Sequence, residues 1–236
     1  MNEFSLKCLH FSLALNALTV SAPVFCAPAS QKTVAWSFMA FAAPYGRFKA
    51  VTTSDTTLVD NGVFHYSLKG PDFETFKVLN PENKTYIQTT ITGYATQWTN
   101  AIKYPPLKKA GSGKLLDMEC TRYTATLQPG TTIDAWYTTA IPMQKGLSNS
   151  FSKACSIPVG YGVPVKVTVS GQGKRTLLFE LLKLTKTAID PESLNVPKSY
   201  KCMKDHALFF LSDEDGKHTG IDEFMRWDPS SSKKTK

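Results

Sequence analysis

Residues 63–90 read VFHYSLKGPDFETFKVLNPENKTYIQTT. Phe64, Tyr66 and Leu68 alternate with His65, Ser67 and Lys69, so one face of that segment is apolar and the other polar. Gly70-Pro71-Asp72 breaks the run, Glu74 to Leu79 resumes it, Asn80-Pro81-Glu82-Asn83 turns, and Lys84 to Thr90 returns. Alternating runs punctuated every ~8–12 residues by turn-forming residues mark an antiparallel meander. Working outward, Asp60-Asn61-Gly62 is a hairpin turn preceded by Arg47 to Ser54, which carries Phe48, Ala50 and Thr52 on one face. Thr33 to Ala43 is an apolar run that reads either as a first strand or as a short helix.

Downstream, Tyr94, Trp98, Ala101 and Ile102 recur at helical spacing, predicting a short helix over 92–104 that ends at Pro105-Pro106. Residues 107–114 (LKKAGSGK) read as a basic, glycine-rich loop. Strands are expected over 114–127 and 132–139, with a Pro129-Gly130 turn between them, and a helix over 143–154. Residues 158–164 (PVGYGVP) form a rigid loop. Residues 165–169 and 176–187 make a hairpin through Gly171-Gln172-Gly173. Residues 189–197 read as extended, and 200–211 as a last helix or strand.

A chain of 236 residues suffices for one domain with a sizeable core. Its 42% hydrophobic and 11% aromatic content argue against disorder. The net charge of +8 is spread out, with neither a long Lys/Arg stripe nor a nucleic-acid-binding motif, so nucleic acid is not an expected partner. An anionic membrane surface or an envelope protein fits that charge.

Residues 1–29 have the design of a signal peptide: Lys7, an apolar run from Cys8 to Val20 too short to span a bilayer, and Ala27-Pro28-Ala29 as a cleavage site. The expected organisation is therefore a signal peptide (1–29), a single strand-rich domain (30–211), and a polar, basic tail (212–236), in a periplasmic or secreted protein. Phe25 before Cys26 is too bulky for a lipobox, which argues against lipidation there. Cleavage leaves Cys120, Cys155 and Cys202, from which one disulfide and one buried thiol are expected, the pairing being open.

No catalytic motif is complete. Lys109 to Lys114 (KAGSGK) lacks the early glycine and the final Ser/Thr of a phosphate loop. Asp213 to Phe224 (DEDGKHTGIDEF) places Lys217 and Phe224 at ligand positions of a calcium loop and His218 at its glycine position. His65, His206 and His218 form no metal motif, and no GxSxG occurs. Asn83-Lys84-Thr85 is a glycosylation sequon. No metal or cofactor is implied. The positive signal is aromatic. Trp36, Phe48, Tyr66, Phe76, Tyr86, Trp98 and Trp136 are candidates to line an apolar ligand cavity.

The order Asp117 to Tyr123 (DMECTRY), Ala135-Trp136-Tyr137, Gly162 to Lys166 (GVPVK), Ile189-Asp190-Pro191 and Asn195 to Tyr200 (NVPKSY) resembles bacterial envelope proteins similar to the LolA/LolB lipoprotein-carrier superfamily. The resemblance spans residues 45–200. It implies an α+β fold, a mostly antiparallel sheet curled into an open half-barrel, with a few short helices on the concave side. It also implies a cavity that takes acyl chains. Aromatic faces and resemblance together lead to an exported, non-enzymatic binding protein for a lipid or acyl chain. A cell-envelope interaction or scaffold protein and a secreted enzyme of unknown type are the alternatives.

Overall fold

The computed structural model describes residues 32–91 and 103–211. The first half is a run of hairpins: β1 (Thr33–Ala42), β2 (Gly46–Thr52), β3 (Thr56–Asp60), β4 (His65–Lys69), β5 (Thr75–Asn80) and β6 (Thr85–Thr90). The second half is β7 (Lys108–Leu115), β8 (Met118–Gln128), β9 (Thr131–Thr138), helix α1 (Lys145–Ala154), β10 (Val163–Gly171) and β11 (Lys174–Ile189). A 3-10 turn (Pro191–Leu194), the two-residue β12 (Lys201–Cys202) and helix α2 (His206–Leu211) complete it. Thr33 to Ala42 is a strand because Ala35, Phe38, Ala40 and Ala42 are buried while it pairs along both edges.

All of these strands belong to one sheet, in the order β12-β6-β5-β4-β3-β2-β1-β11-β10-β9-β8-β7. It is an open sheet: β7 and β12 lie at its two ends and do not meet. Every neighbouring pair is antiparallel except β12 with β6. Two local meanders, β1–β6 and β7–β11, are joined along β1 and β11, from Thr33 opposite Ile189 to Ala42 opposite Phe179. Helix α1 packs on both β4 and β10. In a flat sheet those strands are five spacings apart, roughly 24 Å, whereas a helix is about 10–12 Å across. One helix reaches both because the sheet curls around it. The expected α+β architecture, an open antiparallel half-barrel with a helix in its trough, is the one observed.

The trough holds the core. Phe151 of α1 packs edge-on against Phe38, Phe48 and Phe179 from β1, β2 and β11, with ring centroids 5.9–6.3 Å apart. A second cluster joins Leu68, Phe76, Val78 and Ile87 to Leu147 of α1 and Phe209 of α2. Each such side chain contributes about 1.5–3 kcal/mol by leaving water. After β11 the chain crosses the other face of the sheet. Ser67 Oγ donates to the Leu194 carbonyl (3.5 Å) and Lys69 Nζ to Asn195 Oδ1 (2.8 Å) before β12 adds to the β6 edge.

Several expectations need correction. Residues 107–114 are not a loop: Lys108–Leu115 is the edge strand β7, largely exposed, with a bulge between Lys109 and Gly111. Lysines and a bulge on an edge block strand addition by other chains. The single strand expected over 114–127 is the end of β7 and most of β8, separated by a turn in which Leu116 and Asp117 both have positive φ (50° and 58°). Residues 189–197 are extended only at their ends, because Asp190 caps the 3-10 turn by accepting from the Glu192 amide. Residues 200–211 contain both a short strand and a helix. The hairpin at Gly171-Gln172-Gly173 forms as expected. The export segment, Cys26, most of the helix expected over 92–104 with Trp98, the Asp213–Phe224 stretch and the basic tail lie outside the described residues.

The disulfide is also corrected. Cys120, Cys155 and Cys202 are all free thiols, the first two buried and the third exposed. The Cys120 thiol faces the Met118 carbonyl (3.4 Å), and burial pushes both buried thiols above the ordinary cysteine value. In native protein, a thiol reagent is expected to label Cys202 and to spare Cys120 and Cys155 until denaturant is added. Mass mapping checks this, and a Cys–Cys linked peptide would refute it.

Candidate functional site

Between α1 and strands β2–β5 lies an apolar cavity. Its walls are Phe48 of β2, Val59 of β3, Tyr66 and Leu68 of β4, Phe76 of β5, and Phe151, Ala154 and Cys155 at the end of α1. Tyr45, from the β1–β2 turn, and Asn61, from the β3–β4 turn, close it at one end. The alternation of these strands supplies the wall. Ala50, Val59, Tyr66, Val78 and Ile87 lie in one cross-strand row on the face that meets α1. The cavity measures ≈ 30 Å³. About 10–15 Å³ holds one water, and small-molecule sites run to roughly 300–1,000 Å³. A long chain enters only if α1 gives way.

The two ends of α1 are held differently. Three tyrosine hydroxyls, from three parts of the chain, donate to carbonyls at or just past its C-terminus: Tyr45 to Ala154 (2.6 Å), Tyr104 to Ser156 (2.7 Å) and Tyr137 to Pro158. Burial raises the pKa of each phenol above the ordinary tyrosine value, so all three stay protonated donors at neutral pH. At the N-terminus, Gln144 makes no side-chain cap. The contacts there are the Gln144 amide to the Ser54 carbonyl (2.7 Å), the Phe73 ring against Gly146 and, one turn in, Ser148 Oγ donating to the Gly162 carbonyl. Along the helix, Lys153 Nζ reaches Glu74 Oε1 (2.6 Å) in an exposed ion pair, and such pairs contribute little. Ser148, Ser150 and Ser152 are buried on this helix, and Ser152 Oγ has no hydrogen-bond partner among the described residues. An unsatisfied buried hydroxyl costs about 1–3 kcal/mol.

Of the aromatic residues singled out in the sequence, Phe48, Tyr66 and Phe76 share this cavity. Trp36 lies on the same face as Phe38, half-buried at the margin of the core beneath Lys186 Nζ (6.0 Å). Tyr86 alternates with the buried Ile87, pairs with Leu79 and Cys202, and meets Lys77 Nζ (5.4 Å). Trp136 alternates with the buried Ala135 and Tyr137. It pairs with Lys166 and Arg122 on the opposite face, where Arg122 grips Asp134 at 2.9 and 3.0 Å. The sequence did not single out Tyr45, Phe151 and Cys155. Phe151 lay in a helix that was expected, and its spacing from Leu147 marks that helix's buried side.

Neither a family model nor a curated protein matches this sequence. Solved structures do. The chain is similar to an uncharacterised conserved protein from Thermus thermophilus, with a TM-score of 0.42 and 9% identity over 72% of this chain and 89% of that one. It is similar to Pseudomonas aeruginosa MucB, in its complex with MucA, with a TM-score of 0.35 and 10% identity over 75% of this chain and 59% of that one. It is also similar to a LolA superfamily protein from Nitrosomonas europaea, with a TM-score of 0.24 and 7% identity over 66% of this chain and 86% of that one. These likenesses concern the fold alone.

Proposed function

We propose that this domain is a non-enzymatic binding protein, exported through residues 1–29, that shelters an apolar chain between α1 and strands β2–β5. The observation that carries this reading is the apolar cavity walled by Phe48, Val59, Tyr66, Leu68, Phe76 and Phe151. A packed interior leaves few voids, and one lined almost wholly by apolar side chains under a single short helix is the natural entry for an acyl chain. The tyrosine-held end of α1 acts as the fixed end, and the uncapped Gln144 end moves. Lifting that end exposes Leu147, Phe151, Leu68 and Phe76, which a bound chain would cover again.

The test combines native mass spectrometry of the full chain with amide hydrogen exchange, using a hexadecyl-chain ligand. A one-to-one complex is expected, with exchange in α1 altered and exchange in β8 and β9 unchanged. No complex at saturating ligand, or one that leaves α1 unaffected, would end the proposal.

A further inference from the structure

The outer face of the sheet, opposite the trough, has a charge of its own. In β2, Phe48 and Ala50 are buried toward the trough, so Arg47 and Lys49 stand on the outer face. Register extends that face sideways. Lys49 lies opposite Met39 of β1 and Asp60 of β3, Met39 lies opposite Lys183 of β11, and Arg47 lies opposite Phe41. Neighbouring strands are about 4.8 Å apart, so Lys49 and Lys183 flank Met39 with their backbones roughly 10 Å from each other. Met39, Arg47, Lys49 and Asp60 line an open groove of ≈ 360 Å³ here. Arg47, Lys49 and Lys183 are exposed, and none makes an ion pair among the described residues. The carboxylates nearby are engaged. Asp60 accepts from the Gly62 amide (2.8 Å) and meets His65 Nε2 at 3.6 Å, and Glu180, opposite Phe41, is held by Lys166 (2.5 Å). Farther along the same face Arg122 is matched by Asp134, so the unbalanced charge is local. Met39 and Phe41 are half-buried and belong to neither core cluster. The segment after β11 lies over β3 and β4 and leaves the three cations in solvent.

Three uncommitted cations set around two apolar side chains match an anionic lipid surface. The cations meet headgroup phosphates in charge-assisted hydrogen bonds, and the apolar side chains suit the layer just beneath. We propose that this face, through Arg47, Lys49 and Lys183, docks the protein onto a bilayer rich in anionic phospholipid. An acidic peptide fits less well. It would look for backbone partners along the groove, and β1 and β2 are interior strands whose backbones are paired on both edges. Headgroups need only the side chains. Because this face is opposite the trough, the proposal does not depend on the cavity as a tail site.

The test is co-sedimentation of the full chain with vesicles of phosphatidylglycerol and phosphatidylcholine in equal parts, against vesicles of phosphatidylcholine alone. Each Lys or Arg close to an anionic surface strengthens binding roughly fivefold, so the mixed vesicles are expected to bind at least about a hundredfold more tightly. That preference should fade between about 0.1 M and about 0.5 M salt as the charges are screened. The triple variant Arg47→Gln/Lys49→Gln/Lys183→Gln is expected to lose about a hundredfold on the mixed vesicles and nothing on the neutral ones. A control, Lys108→Gln/Lys109→Gln/Lys174→Gln, removes the same charge from the β7 edge and the β10–β11 turn, and is expected to lose less than about fivefold. All of these side chains are exposed, and far-UV circular dichroism checks that both variants fold. Equal binding to the two kinds of vesicle, or equal losses in the two variants, would overturn the docking face and leave the cavity reading standing. Poly-glutamate that binds more tightly than the vesicles, with the same loss in the first variant, would make the patch a site for an acidic chain and overturn the membrane.

Discussion

Replacing Phe151 with alanine is expected to lower the unfolding free energy by roughly 3–5 kcal/mol, the range for truncating a buried Phe. Its ring is 1% exposed and touches Phe38, Phe48 and Phe179, each on a different strand. Those strands come from both halves of the sheet, with β1 and β11 forming the seam between them. The backbone there is pinned by sheet pairing, so the space cannot collapse, and the void merges with the cavity already beside it. Domains of this kind have about 5–15 kcal/mol in total, so the loss is a large share. Urea unfolding of wild type and variant measures it. A loss under about 1 kcal/mol would mean that α1 is not seated as described.

Gly162→Ala is the second large effect. Gly162 has φ +112°, and an added Cβ would stand 2.3 Å from the Thr138 carbonyl oxygen. That oxygen belongs to strand backbone and cannot swing away. The same glycine carbonyl accepts from Ser148 Oγ of α1, so displacing the loop also loosens the helix. A loss of roughly 2–4 kcal/mol is expected, combining backbone strain with the clash. Gly173→Ala is the control. It has φ +73° with open space where a Cβ would sit, and should lose about 1 kcal/mol. Equal losses at the two positions would show that the clash at Thr138 is relieved.

The parts of this fold that could be read from sequence are those where each residue has one job. Residues 63–90 alternate cleanly and carry Gly-Pro and Asn-Pro at their turns, and β4–β6 follow that pattern. β7 was missed because an edge strand open to water on both faces has no apolar side to display, and KKAGSGKL then reads as a linker. The β7–β8 turn was missed because Leu116 and Asp117 adopt positive φ without the Asn-Gly signal that usually reports it. At the cavity, Phe48, Tyr66 and Phe76 were legible as strand aromatics. Tyr45 and Cys155 were not, since a turn tyrosine and a thiol acquire their role only when distant segments meet. The free thiols reflect the same limit: sequence supplies a count of cysteines, and only the fold supplies their separation.

The seam between β1 and β11 bears on how the chain is made. Nearly every other strand pairs with its neighbour in sequence and can do so as soon as that neighbour leaves the ribosome. β1 pairs with β2 at once, but its second edge waits for Lys174–Ile189, well over a hundred residues later. During that interval TVAWSFMAFA has one edge unsatisfied and its apolar face uncovered, the combination that invites pairing with another nascent chain. A strand from the middle of the finished sheet is therefore the one most in need of protection while the protein is being synthesised.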